Sequence, residues 1–365
     1  MASTSAKSGQ DEETLPADIT QNLKTLQFES ALSDDEKQLL HLRERSHALT
    51  VAGCVHATFM ARLLQEARQI RTQMKNPQKK AAKILSDNES RDPLKIGLLG
   101  CGRLGSQLAH CLLTYGGIHP KHLKISTRRP ETLEYLQNKG VDCFHDNIKL
   151  VSNTHLVILA VLPSQLQVIA EEIKDHIPQA SIVYSLVASF SPKRLKQLLL
   201  TTNIIHPVYT WAPEGQVKWD ISCNVNTTLE NPATVRRLCP LPECMKEGLI
   251  QTSDKLLELM IFAVLNLCTA LQLTKVESLG VLHTVTFRDS DKDKLREEDF
   301  IRKTADTMGV FPRFDLVRIA QTNTSVHKRL SGSEHLKSAL IDNFVASFDE
   351  YVQKKLASLR NQKKF

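Results

Sequence analysis

The chain has 365 residues, 47 Lys and Arg against 40 Asp and Glu, a formal charge of +7 and 41% hydrophobic residues. That length allows two domains with separate cores, and the modest charge, spread among acids, gives no reason to expect a nucleic-acid partner. The eight cysteines, at 54, 101, 111, 143, 223, 239, 244 and 268, lack the spacing of a disulfide framework.

Taken in chain order, residues 1–18 are rich in Ser, Thr and acids, and are expected to be a disordered tail. Their polar start, followed by Asp11, Glu12 and Glu13, fits neither a secretory signal nor a mitochondrial presequence. Free thiols and a cytoplasmic location are the expectation. Residues 19–93 read as a helical N-terminal extension. Ser33 with Glu36 three residues later is a capping box, and helical composition continues to Asn76-Pro77, with a break expected near Gly53. The basic run from Arg68 to Lys83 reads as a solvated helix face. A polar segment from Ser86 to Asp92 then leads into the next domain.

Residues 94–215 alternate strands and helices, the pattern of an α/β fold with a mostly parallel Rossmann-type sheet. The apolar run Lys95-Ile-Gly-Leu-Leu99 is followed by Gly100-Cys-Gly-Arg-Leu-Gly105. Each glycine has its own reason: Gly100 for the sharp turn, Gly102 for backbone approach to a pyrophosphate, and Gly105 for close packing of helix on strand. Leu104, Leu108 and Leu112 then mark one face of a helix whose N-terminus favours a diphosphate. A second strand, His122 to Thr127, ends in Thr127-Arg128-Arg129, with no acid where an NAD site places one. Two guanidinium groups there suit a 2′-phosphate, so the expected cofactor is NADP(H).

Further strands are read at Leu156–Val161, Ile182–Leu186 and Asn203–Ile205, with a crossover helix marked by Leu166, Ile169, Ile173 and Ile177. Ligands of open α/β sheets bind beyond the strand C-termini, which nominates residues 161–164, 187–190 and 206–211. Residues 216–365 read as a mainly helical C-terminal domain. Leu256 to Leu273 is too short and too interrupted by Asn266, Thr269 and Gln272 to span a membrane, and reads as a buried helix in a core or across a dimer interface. Leu336, Leu340, Phe344, Phe348, Val352 and Leu356 form a four-spaced stripe that suits packing. No metal site is expected. Cys239 and Cys244 lack a second pair, and Asp289 to Asp293 fails as a calcium loop because Lys294 and Phe300 stand where Gly and Glu are needed.

The strand-end motifs together resemble the pyrroline-5-carboxylate reductase family. Ile96 to Gly105 is similar to its fingerprint, Leu159-Ala-Val-Leu-Pro163 to its Ala-Val-Lys-Pro turn, and Tyr184-Ser-Leu-Val-Ala188 to its Ser-x-x-Ala-Gly strand end. The resemblance covers roughly residues 94–215. It implies cofactor contacts from Gly100, Cys101, Gly102, Arg103, Leu104, Gly105, Thr127, Arg128, Arg129, Val161, Leu162, Pro163 and Ala188, and a homodimer built on a helical C-terminal domain. Three features depart from the family. Leu162 replaces the turn lysine, Ile205-His206-Pro207 replaces Asn-Thr-Pro, and the Ser-x-Gly-Gly-x-Thr substrate loop is absent. Cofactor binding therefore carries over and proline-precursor reduction does not.

The leading functional expectation is an NADP(H)-dependent oxidoreductase moving hydride to or from a small C=N or C=O substrate. His206 is the first candidate for proton transfer and Tyr209 the second. The competing reading is a noncatalytic NADP(H)-binding sensor or interaction protein. Neither a Gly-x-Ser-x-Gly elbow nor a P-loop is present.

Overall fold

A computed structural model describes residues 31–75, 92–212, 219, 221, 224–246, 248–288, 293–301 and 309–362. The expected tail at 1–18, most of the 86–92 linker and most of the Asp289 to Asp293 segment lie outside the described residues. The chain divides into two units, residues 1–44 and 45–365. In the first, helix α1 (Asp34–Gln38) opens on the expected capping box, with Ser33 and Glu36 bonded reciprocally through side chain and backbone.

Helix α2 (His41–Lys75) runs without interruption through Gly53, where a break was expected. Glycine costs a helix about 1 kcal/mol relative to alanine, but this helix is held by burial. Thirteen successive residues from Ala48 on include only Leu49 and Thr50 outside the core. Arg62 ties α2 to its neighbours, donating to the carbonyls of Tyr115 at 3.2 Å and Ser347 at 2.8 Å and to Glu350 at 2.7 Å. Arg68 is likewise no solvated cation: it is buried and paired with Asp92, which Arg71 also reaches at 3.3 Å.

The sheet then forms as β1 (Ile96–Leu99), α3 (Arg103–Thr114), β2 (Leu123–Ser126), α4 (Glu134–Gln137), β3 (Asp142–Phe144), α5 (Asn147–Ser152), β4 (Leu156–Leu159), α6 (Pro163–Ile173), β5 (Ile182–Ser185), α7 (Pro192–Leu199) and β6 (Ile204–Ile205). All six strands pair in parallel in the order β3-β2-β1-β4-β5-β6. This is the doubly wound dinucleotide-binding order, whose reversal lies between β1 and β4. The short edge strand β3 was not anticipated, because its partly exposed Asp-Cys-Phe carries no apolar run. The strand read as Leu156–Val161 ends at Leu159, which leaves Ala160 and Val161 in the loop.

Beyond the sheet come β7 (Tyr209–Trp211), α8 (Val225–Leu229), α9 (Pro232–Arg237), α10 (Pro242–Met245) and β8 (Ile250–Thr252), the two strands pairing antiparallel. This ribbon was also missed, and its second strand lies within residues 216–365, which were read as mainly helical. The remaining elements are α11 (Lys255–Ala270), α12 (Lys275–Phe287), α13 (Glu297–Phe300), α14 (Leu316–Ile319), α15 (Ser325–Gly332) and α16 (Glu334–Gln362). On α16 the stripe buries Leu336, Leu340, Phe344 and Phe348, and Phe344 meets Phe59 of α2 edge-on at 4.8 Å. Among the described residues no helix is long and apolar enough to cross a membrane.

Helix α11 is buried from Leu256 to Cys268 within one chain, so its apolarity does not require a second copy. Its one buried amide side chain, Asn266, is fully employed. The Oδ1 atom accepts from the Phe314 amide at 2.7 Å, and Nδ2 donates to the Phe314 carbonyl and to Asn203 Oδ1, each at 2.9 Å. Asn203 in turn donates to the Ser181 carbonyl at 3.0 Å, joining α11 to the start of β5 and β6. Removing a partner from such a buried network costs about 1–3 kcal/mol per group stranded. Asn266→Ala is therefore expected to lower unfolding stability by at least that amount in urea denaturation.

Candidate functional site at the sheet edge

Parallel pairing sends every strand of the sheet out at one edge, and the glycine loop leaves there first. Gly100 donates to the Ser126 carbonyl at 2.9 Å and sits at φ +90°, a left-handed conformation suited to glycine. A Cβ at Gly100 would lie 2.6 Å from the Ala160 carbonyl oxygen, so the β1 loop and the β4 loop touch. At Gly105 a Cβ would lie 2.4 Å from the Gly100 oxygen, which is why α3 can pack against the turn that precedes it. Gly102 differs, since a Cβ there would meet nothing within 4 Å. It caps α3 without any side-chain hydrogen bond, so the first-turn amides have no side-chain acceptor. An open glycine at an uncapped helix N-terminus fits a dinucleotide's diphosphate.

Around this loop, Arg103 is exposed and Leu104 half-buried. Cys101 is half-buried and burial pushes its thiol up to about 12, which makes it a turn residue rather than a reactive cysteine. At the end of β2 the Thr127 amide donates to the Phe144 carbonyl at 2.9 Å. The next two residues, Arg128 and Arg129, are exposed, and neither side chain is held in an ion pair among the described residues. Leu162 is 62% exposed and precedes Pro163, the first residue of α6, while Val161 is half-buried. Ala188 is exposed beyond β5, next to Ser189 at φ +69°.

A cleft of about 410 Å³ opens beyond β5 and β6, lined by the start of α7, by residues 206–208, and by the start of α11. His206 lines it. Its Nδ1 lies 3.1 Å from the Ser185 carbonyl, which can only accept, so Nδ1 carries the hydrogen and Nε2 is bare in the neutral ring. Burial pulls this imidazole below its ordinary value, against the opposing effect of the Ser185 bond. Of the segments nominated from the sequence, 206–208 line the cleft and 161–164 do not.

Tyr209 is placed elsewhere. Its hydroxyl lies 3.1 Å from His56 Nδ1, and the two rings stack 5.8 Å apart at 7°. His56 Nε2 donates to the Leu238 carbonyl at 2.7 Å, so Nδ1 accepts from Tyr209. Burial holds the His56 imidazole down to about 4 and lifts the Tyr209 phenol far above its ordinary range. Tyr209 is thus a packing partner of α2 and not a lining residue of the cleft.

Sequence reasoning missed Lys255, a lining residue of the cleft whose ammonium donates to Glu258 at 2.7 Å and to the Thr322 carbonyl at 2.8 Å. Glu258 is fully buried and also accepts from Thr324, and His327 Nδ1 lies 3.6 Å from it. The Lys-Glu spacing of three at a helix start was a visible signal. The partners from 322–327 were not, being more than sixty residues away.

The last two glycines of the loop make separable predictions. Overpacking costs about 1–3 kcal/mol, so Gly105→Ala is expected to lower the thermal unfolding midpoint by several degrees. Gly102→Ala adds a methyl to open space and is expected to cost under about 1 kcal/mol.

Comparison with known proteins agrees with this geometry. Residues 95–189 match the family described as NADP oxidoreductase, coenzyme F420-dependent. The chain is 29% identical over 336 residues to the NADP-dependent oxidoreductase domain-containing protein 1 of Mus musculus, covering 88% of this chain and 90% of that one. It is also 29% identical over 118 residues to pyrroline-5-carboxylate reductase 3 of Danio rerio, a match spanning 31% of this chain and 41% of that relative. The family resemblance read from the strand-end motifs is thereby borne out. A solved pyrroline-5-carboxylate reductase from Coxiella burnetii aligns over 71% of this chain and 98% of its own at 17% identity, with a TM-score of 0.31. The fold itself is defined by the strand order β3-β2-β1-β4-β5-β6.

Proposed function

We propose that this chain, with an oxidoreductase-family domain at 95–189 and similarity to pyrroline-5-carboxylate reductases, is an NADP(H)-dependent oxidoreductase acting on a small C=N or C=O compound. The observation that carries the reading is the common sheet edge shared by the open glycine loop and the cleft beside His206. Gly100 to Gly105 would hold the diphosphate, with Arg128 and Arg129 gripping the 2′-phosphate. Val161, Leu162, Pro163 and Ala188 border the same edge and would contact the rest of the dinucleotide. When bound, the reduced nicotinamide supplies a hydride. The protein supplies position and a proton, and His206 is the group that holds it. In its neutral tautomer the ring accepts a proton at Nε2, and as imidazolium it gives one back.

The cofactor choice is tested by replacing both arginines. Arg128→Ala with Arg129→Ala is expected to weaken NADPH binding at least tenfold in fluorescence titration while changing NADH binding less than threefold. Equal losses for both nucleotides would count against the 2′-phosphate role.

The pH dependence follows from the lowered His206 pKa. Reduction needs the imidazolium, present only below that pKa, so its kcat falls as pH rises through a value under the ordinary histidine range. Oxidation in reverse needs the neutral ring and rises over the same interval. His206→Asn is expected to keep NADPH affinity within twofold, lower kcat about a hundredfold or more, and abolish this inflection. Tight NADPH binding without turnover across ketones, keto acids and cyclic imines would favour the noncatalytic reading instead.

A further inference from the structure

We propose that the cleft beside His206 receives a small keto acid, its carbonyl oxygen held by the Lys255 ammonium, rather than a cyclic imine. The inference rests on the oxidoreductase reading and narrows its substrate. Lys193, His206, Ser253 and Lys255 supply polar groups to the cleft wall, Leu256 and Leu259 supply apolar surface, and among the described residues no lining residue is Asp or Glu.

Lys255 is fixed from behind. Its Nζ donates to Glu258 at 2.7 Å and to the Thr322 carbonyl at 2.8 Å, which leaves one of its three hydrogens for a ligand. The Glu258 carboxylate is fully buried and enclosed by Lys255, Thr324 and His327, and His327 Nε2 lies 3.3 Å from Asp254. The carboxylate that anchors Lys255 is therefore buried and is not among the lining residues of the cleft. Lys193, exposed at the first turn of α7, adds a second cation.

This charge pattern separates the two substrate classes. An imine accepts hydride as its protonated iminium, and a fixed ammonium beside it repels that cation. A carbonyl develops negative charge on oxygen as hydride arrives, and a preorganised ammonium stabilises that charge. A carboxylate on the same molecule complements Lys193. In the reaction, hydride from the reduced dinucleotide joins the carbonyl carbon and a proton from the His206 imidazolium joins the oxygen, giving a hydroxy acid and the oxidised dinucleotide. Solvent restores the proton.

The test uses the full chain and oxamate, an unreactive carbonyl carboxylate, titrated by calorimetry with and without NADPH. Wild-type protein is expected to bind oxamate. Lys255→Met is expected to weaken oxamate at least tenfold with NADPH affinity held within twofold, and Lys255→Arg to recover part of the loss. Because Lys255→Met strands a buried carboxylate, Lys255→Met with Glu258→Gln provides a second variant, its folding checked by near-ultraviolet circular dichroism. Turnover of a panel of keto acids should exceed that of 1-pyrroline and its carboxylated analogue. No oxamate binding, binding indifferent to Lys255, or turnover confined to the imines would overturn the inference. Failure to bind NADPH at all would instead overturn the oxidoreductase reading beneath it.

Discussion

Because β1 through β6 run parallel, their C-termini must emerge together, and every group considered for cofactor or substrate stands on that edge or next to it. The reversal of strand order between β1 and β4 then opens the crevice. It is closed down to contact distance by glycine, since a side chain at Gly100 would strike the β4 loop and one at Gly105 would strike Gly100 itself. The sheet edge is thus a place where backbones approach more closely than side chains permit. Of the three, Gly102 alone faces open space, and this contrast among glycines at most five residues apart distinguishes packing from access.

The long N-terminal helix changes how the rest of the chain is covered. Its buried apolar residues from Ala48 to Ala67 lie in the same cluster as β1, α3, α11 and α16. Several of its polar groups are paired internally, His56 by Tyr209 and Leu238, Arg62 by two carbonyls and two carboxylates, and Arg68 by Asp92, while Thr58 Oγ1 and Arg62 Nε are buried without a hydrogen bond. Burying charge is costly unless each donor finds an acceptor. The density of these pairings explains how a helix with many Arg and His residues sits inside the protein. It also explains why α11, strongly apolar, is satisfied by neighbours from its own chain.

The Lys255 and Glu258 pair shows the same physics turned toward the cleft. A buried carboxylate with three partners holds one ammonium in place. Preorganised charge of this kind needs no reorientation when a ligand arrives, and it favours developing negative charge over positive. His206, tied to the Ser185 carbonyl, is oriented by a single backbone bond. The cleft therefore combines a fixed cation with a group able to change its proton count.

How much was legible in the sequence follows from the range of the interactions involved. The glycine spacing, the two arginines after β2, the apolar runs of the buried strands and the capping box at Ser33 are local patterns, and chain-local steric and hydrogen-bonding rules suffice to read them. They determined the parallel α/β fold and the family resemblance. Edge strand β3 and the β7-β8 ribbon escaped because short, half-exposed strands carry no periodic signal and are defined by what they pair with. The intact α2 at Gly53 and the buried Arg68 went against local propensity because tertiary burial outweighs it. Only the tertiary structure decided that Tyr209 belongs to a buried pair with His56 and that Lys255 lines the same cleft as His206. Those residues lie tens to more than a hundred positions apart, and no local rule joins them until the sheet and helices bring them together.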